Sequence, residues 1–497
     1  MSNVRVTYSG LIAFAVGLIS LFTGIIFTLI VTRRLSPEDF GLWAVIGSLI
    51  VYFMISETII SFWTTRQIAR GEDVGKTSLS TSALFSFGSI PLYIILAFYV
   101  GESSNSNFDV MLFATILIPV NFLSRTLTSI NIAHKPQAVS YGTLVFEVVK
   151  IPAGLSLVYF LDLGLMGAIA ATLFAFLARI FIQLYFARTK LRNKFSRDQI
   201  SMWFKLSWVP LYQSLPNYIQ LLDVTIVVIL SGSTLGVAYY TVALAIAVIV
   251  GHAASISQAI YPKLLALGNF DHIQKNLSHL LYFSIPMLGI AIVFSKPALF
   301  ALNPAYSEIS LIVIILSFKS FFQILTNVFY DVLLGIERVD AEKRPKFREL
   351  INSKLFLIPN IKMIHYVTYT IVLSVSIFFL TLQEFSVIDT VIWWTIISLS
   401  FQIPFFLYSV ILVRKSIKFS FPTERILKYV GSTIAFIFVF YLTSDKIIVY
   451  HESIFDFLPL LMIQLSICSG IYFILTYLID CNTRRLLRAI VTEIFKK

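Results

Sequence analysis

The sequence predicts an all-α, polytopic membrane protein. Three observations carry the prediction: an excess of apolar residues, apolar runs of membrane-crossing length, and basic residues gathered on alternate connections. Hydrophobic residues are 58% of the 497 and charged residues 13%, against about 25% charged in soluble domains. No soluble core of this size could bury so much apolar surface.

Roughly 20 residues at 1.5 Å rise cross the hydrocarbon layer. On that rule about 14 transmembrane helices are expected, near 8–32, 41–64, 79–100, 109–131, 138–160, 165–187, 207–230, 236–261, 278–295, 308–331, 363–382, 388–412, 429–444 and 457–479. The first apolar run, residues 11–31, is too long for a signal-peptide core, and no small-residue cleavage pattern follows it, so it reads as a retained helix. A short polar turn, Leu35 to Phe40, separates it from the second run. The outer connections are short, such as residues 161–164 and 101–109, and leave no extracellular domain.

The basic residues fix the orientation. With the N-terminus inside, 28 of the 38 Lys and Arg fall on inner segments and 4 on outer ones, Arg33, Arg34, Lys296 and Lys446. That asymmetry supports an even helix count with both termini cytoplasmic. It also gives the net charge of +12 a topological meaning and argues against a nucleic-acid partner. The inner stretch 335–354 reads as a solvated, mixed-charge helix, and the tail bearing Arg484, Arg485 and Arg488 as a basic helix lying on anionic lipid. Cys468 and Cys481 have neither disulfide-framework nor metal spacing, and no metal or cofactor is expected.

Shifted by 195 residues, the chain matches itself. Leu35-Ser36 and Gly41 fall on Leu230-Ser231 and Gly236, each motif opening the second helix of a six-helix block. An even number of helices per block gives parallel repeats. The expected architecture is two six-helix bundles related by pseudo-twofold symmetry, over residues 1–199 and 200–428. Two extra helices and a basic tail follow over 429–497.

The first hairpin carries a family resemblance. Arg33, Ser36, Pro37, Glu38, Asp39, Phe40 and Gly41 resemble the pattern after the first helix of polysaccharide biosynthesis flippases. These are the Wzx-like members of the multidrug/oligosaccharidyl-lipid/polysaccharide exporter superfamily. Glu57 and Arg66, Pro210 and Asp223, and Tyr261-Pro262-Lys263-Leu264 are similar to further features, although Ile59 stands where the family commonly has Gly. The resemblance implies two bundles around a central cavity, alternating access, and translocation of a lipid-linked oligosaccharide (polyprenyl or dolichyl phosphate type) across the plasma membrane. It implies a monomer whose partners are that substrate, membrane lipid and glycan-assembly enzymes, and a protein that is not an enzyme.

Such a substrate is anionic at its head, so it needs fixed cations in a wet cavity. Arg125 on the fourth helix stands beside Asn121, and Lys319 on the tenth begins a stripe with Gln323 and Asn327. Both are candidate cavity cations, and Arg33 is placed at the outer mouth. Glu57 and Asp223 are the candidate carboxylates for proton or sodium coupling. Glu147 and Lys150, three apart, read as a structural pair. A multidrug or small-molecule antiporter of the same superfamily is the alternative. A membrane glycosyltransferase or polymerase is the second, weakened because no DxD, P-loop or HExxH motif occurs.

Overall fold

A computed structural model describes residues 6–257, 271–337, 353–417 and 421–485. Among them every regular element is a helix. In order these are α1 Val6–Arg34, α2 Pro37–Phe53, α3 Ile55–Ala69, α4 Gly75–Ser103, α5 Phe108–His134, α6 Pro136–Phe160 and α7 Gly164–Ala187. The short α8 Arg197–Lys205 precedes α9 Trp208–Ser231, α10 Leu235–Ala253, α11 Asp271–Val293, α12 Ser295–Leu302 and α13 Pro304–Gly335. Then come α14 Lys354–Leu382, α15 Val387–Ser416, α16 Thr423–Ile447 and α17 Ile454–Ile479.

Twelve helices among the described residues are long and apolar enough to cross a membrane, and there are thirteen if the bent pair α2 and α3 is counted as one broken span. With the 29 residues of α1, the architecture is compatible with the fourteen expected spans. The motif at Tyr261 to Leu264, most of the 335–354 stretch and Arg488 lie outside the described residues.

The chain divides into two compact units. One comprises Met1–Tyr239 with Lys362–Thr390, the other Tyr240–Ile361 with Val391–Lys497.

In the first unit the opening hairpin is built by capping. Ser36 is the N-cap of α2 and its hydroxyl accepts from the Asp39 amide at 3.1 Å. Pro37 occupies the first helical turn, where its missing N–H costs nothing, and Glu38 and Asp39 complement the helix dipole. Gly41 lets α2 approach residue 234 closely: a Cβ there would lie 2.1 Å from the Thr234 carbonyl oxygen. The Thr234 hydroxyl donates to the Glu38 carbonyl at 3.1 Å. The two repeat motifs therefore touch each other. Farther along, Glu147 pairs with Lys150 at 2.7 Å and accepts from Ser20 and Thr23, each at 2.7 Å. That neutralises an intramembrane carboxylate locally.

The second unit packs α16 and α17 together and α16 against α11. Tyr472 donates to the Tyr282 carbonyl at 2.6 Å, and Gly289 leaves room for Thr433 and Phe436. At the end of α17 the Asp480 carboxylate accepts from the Tyr429 hydroxyl at 3.2 Å and from the Thr483 hydroxyl at 2.8 Å. Burial alone would push this carboxyl up, but bonds from Thr483, the Asn482 amide and Tyr429 outweigh it and hold it below the usual range.

Candidate functional site

The first unit carries an open pocket of about 460 Å³, lined mainly by polar side chains. Its walls come from α3, α5 and α7. The α3 wall exists because the second span is broken: α2 and α3 meet at Met54 with a 55° bend. Glu57 thus stands in the first turn of a half-helix, where the dipole favours a negative charge.

Glu57 is only 2% exposed. Its Oε1 accepts from the Ser61 hydroxyl one turn on, and Thr126 reaches the same atom at 3.5 Å. Ser129 donates to Ser61 at 2.7 Å. The carboxylate is therefore the end of a short hydroxyl chain running from α5 through α3, which answers the cost of burying it.

The α5 wall is the polar face read from the sequence. Asn121, Arg125 and Ser129 recur at helical spacing, and all three line the cavity. Asn121 donates to the Leu117 carbonyl at 2.8 Å. Arg125 is exposed and is the cation whose field acts on Glu57.

The α7 wall adds Arg179, which the sequence reading left out of the site. Its Nη2 donates to Thr128 at 3.4 Å, while its Nε is buried without a hydrogen-bond partner. Gln183, fully buried one turn on, donates to Thr128 at 3.0 Å and holds that hydroxyl. Gly142 makes space for Gln183, since a Cβ there would come within 2.9 Å of its Cγ. Phe176 completes the wall and packs on Phe146 with ring centroids 4.9 Å apart. The i,i+4 spacing of Arg179 and Gln183 was the available signal, but position near a helix end favours plain snorkelling.

The structure thus joins Glu57, Asn121 and Arg125 in one place. Two guanidinium groups, Arg125 and Arg179, line the same pocket, an arrangement that can hold an anion by forked, charge-assisted hydrogen bonds. Arg33, at the end of α1, is half-buried and is not among the lining residues. Asp223 is buried; its Oδ2 accepts from Tyr369 at 3.1 Å and its Oδ1 from the Val224 amide at 2.7 Å. In the second unit Lys319 is buried and donates to the Tyr240 hydroxyl at 3.4 Å, and Tyr240 stacks on Trp394 at 3.9 Å. Along the same stripe Gln323 is half-buried and Asn327 exposed. Among the described residues no group of three or more His, Cys, Asp or Glu is placed to hold a metal ion.

No family model matches the sequence, and no curated protein matches it. Solved structures do. The lipid II flippase MurJ in an inward closed conformation superposes with a TM-score of 0.66 at 16% identity, covering 96% of this chain and 100% of that one. An inward-facing multidrug resistance MATE family transporter of the MOP superfamily gives 0.58 at 14% identity, covering 82% and 98%. A MATE transporter in complex with MaD5 gives 0.53 at 14% identity, covering 83% and 95%. The chain is a multi-pass membrane protein with the fold shared by the MurJ flippase and the MATE transporters.

Proposed function

We propose that this protein is a flippase. It moves a lipid-linked oligosaccharide, carried on a polyprenyl or dolichyl phosphate type lipid, across the plasma membrane by alternating access, and both termini face the cytoplasm. The observation that carries the reading is the cavity that Arg125 of α5 and Arg179 of α7 line together. A lipid-bound phosphate or diphosphate is an anion that can accept forked hydrogen bonds, and two guanidinium groups lining one pocket match it. The nearly full coverage by the MurJ structure, against 82% by a MATE structure, supports the same choice.

One observation favours a second reading. Glu57, buried on the α3 wall of the same cavity, is the kind of group a cation-coupled antiporter of small molecules would use. In the flippase reading it serves proton or sodium coupling instead, with Asp223 as a second carboxylate.

The deciding experiment reconstitutes the protein in vesicles with a fluorescent polyprenyl-diphosphate oligosaccharide on one leaflet. Translocation that needs Arg125 and Arg179 is expected. Absent translocation, together with cation-dependent uptake of small organic cations, gives the antiporter reading.

A further inference from the structure

The bend between α2 and α3 has no cause in its own sequence. Residues 48–60 contain neither Pro nor Gly, the usual origins of a sharp kink. Met54 nevertheless leaves the helix, and its amide turns back to the Val51 carbonyl at 3.0 Å. A second, slighter break lies in α9, which divides into Trp208–Gln220 and Leu222–Ser231 at Leu221, whose amide still reaches the Asn217 carbonyl at 3.3 Å. Residues 217–231 also lack Pro and Gly. Either break could therefore heal into continuous helix, because every residue around it still has its N–H.

The two breaks are tied together on both sides. Before the α2–α3 break, the Tyr52 hydroxyl donates to the Leu221 carbonyl at 2.5 Å and lies 2.7 Å from the Thr225 hydroxyl. After it, Thr58 meets the Tyr218 hydroxyl at 3.1 Å. Each half of one broken helix is thus pinned to the matching half of the other. Thr58 is also a lining residue of the cavity, next to Glu57. At the inner end of α3, Gln67 accepts from the buried Trp203 of α8 at 2.8 Å, so that end is held too.

We propose that the breaks at Met54 and Leu221 are one coupled hinge, pinned by Tyr52 to Leu221 and Thr225 and by Thr58 to Tyr218, through which the half-helix carrying Glu57 opens and closes the cavity. Tyr52 and Tyr218 are positioning residues in this scheme. A bent helix and a neighbour interrupted at the facing residue, hydrogen-bonded on both sides of the interruption, can move as a two-state element. The gating role rests on the transport reading; the coupling of the two breaks does not.

Hydrogen–deuterium exchange of the full chain in lipid nanodiscs, without ligand, tests the coupling. Thr58→Val cuts the lower pin and is expected to speed exchange of residues 222–225, across the far break, about fivefold. Tyr52→Phe cuts the upper pin and is expected to speed residues 217–220 by a similar factor. The double variant is expected to exceed neither single one, because one pin cannot hold the element alone. Acceleration confined to residues touching each altered side chain, or additive effects in the double variant, overturns the proposal. Tyr218→Phe serves in place of Thr58→Val if the latter folds poorly. In vesicles with the fluorescent polyprenyl-diphosphate probe, Tyr52→Phe and Tyr218→Phe, at residues that do not line the cavity, are expected to lose turnover with the half-saturating concentration unchanged. If wild-type protein moves no probe, the flippase reading fails while the exchange result still decides the hinge.

Discussion

A Cβ placed on Gly41 would stand 2.1 Å from the carbonyl oxygen of Thr234. The obstructing atom is backbone, so it cannot rotate aside. Gly41→Ala is expected to separate α2 from residue 234 and to cost about 1–3 kcal/mol. Thermal unfolding in detergent reads the loss as a lowered midpoint. Gly47, whose Cβ would meet nothing within 4 Å, is the control: Gly47→Ala is expected to leave the midpoint unchanged or raise it slightly.

Arg125 and Arg179 line one cavity from two helices, α5 and α7. Arg125→Ala and Arg179→Ala are each expected to lower the affinity for a polyprenyl-diphosphate probe by about 10- to 100-fold, the worth of a charge-assisted hydrogen bond. Arg→Lys at either place is expected to recover only part of it, since an ammonium cannot form the fork. Equilibrium binding in nanodiscs checks this, with unchanged thermal midpoints ruling out misfolding.

Glu57 ends the hydroxyl chain through Ser61 and Ser129. Glu57→Gln keeps the shape and a hydrogen-bonding group but removes the charge. The expected outcome is a stable protein whose transport no longer responds to a proton or sodium gradient. Unchanged gradient dependence would take Glu57 out of the coupling role.

Asp480 fastens the end of α17 to Tyr429 and Thr483. Its carboxyl is held below the usual range in the fold. A depressed folded value means that the stabilisation is complete above the unfolded value, about 3.9, and is lost as pH falls through the folded one. Asp480→Asn is therefore expected to lower the thermal midpoint at neutral pH and to narrow its gap from wild type below about pH 4. A gap that stays constant from pH 7 to pH 3 would show that the charge contributes nothing.

Hydropathy made the spans legible because each helix must satisfy the bilayer by itself, residue by residue. Glu57, Asn121 and Arg125 were legible for the same reason: a charge or amide inside an apolar run needs a purpose. Arg179 was not, because only the packing of α7 beside α5 tells a cavity-facing guanidinium from a snorkelling one. Nor was the break at Met54 legible, since residues 48–60 hold no Pro or Gly to mark it and the neighbouring Tyr52 bonds a carbonyl 169 positions away. The stripe Lys319, Gln323 and Asn327 runs from buried to exposed. Helical spacing groups such residues, but neighbours such as Tyr240 decide which of them meets water.

The Ser36-Pro37-Glu38-Asp39 segment starts a helix, and Gly41 seats that helix against a backbone. Neither device touches the cavity wall. The stretch that makes this sequence most recognisable is thus an assembly instruction. On the proposed transport reading, swapping it between proteins of this architecture is expected to alter folding yield and leave the transported molecule the same, with choice of cargo lying among the side chains of α3, α5 and α7.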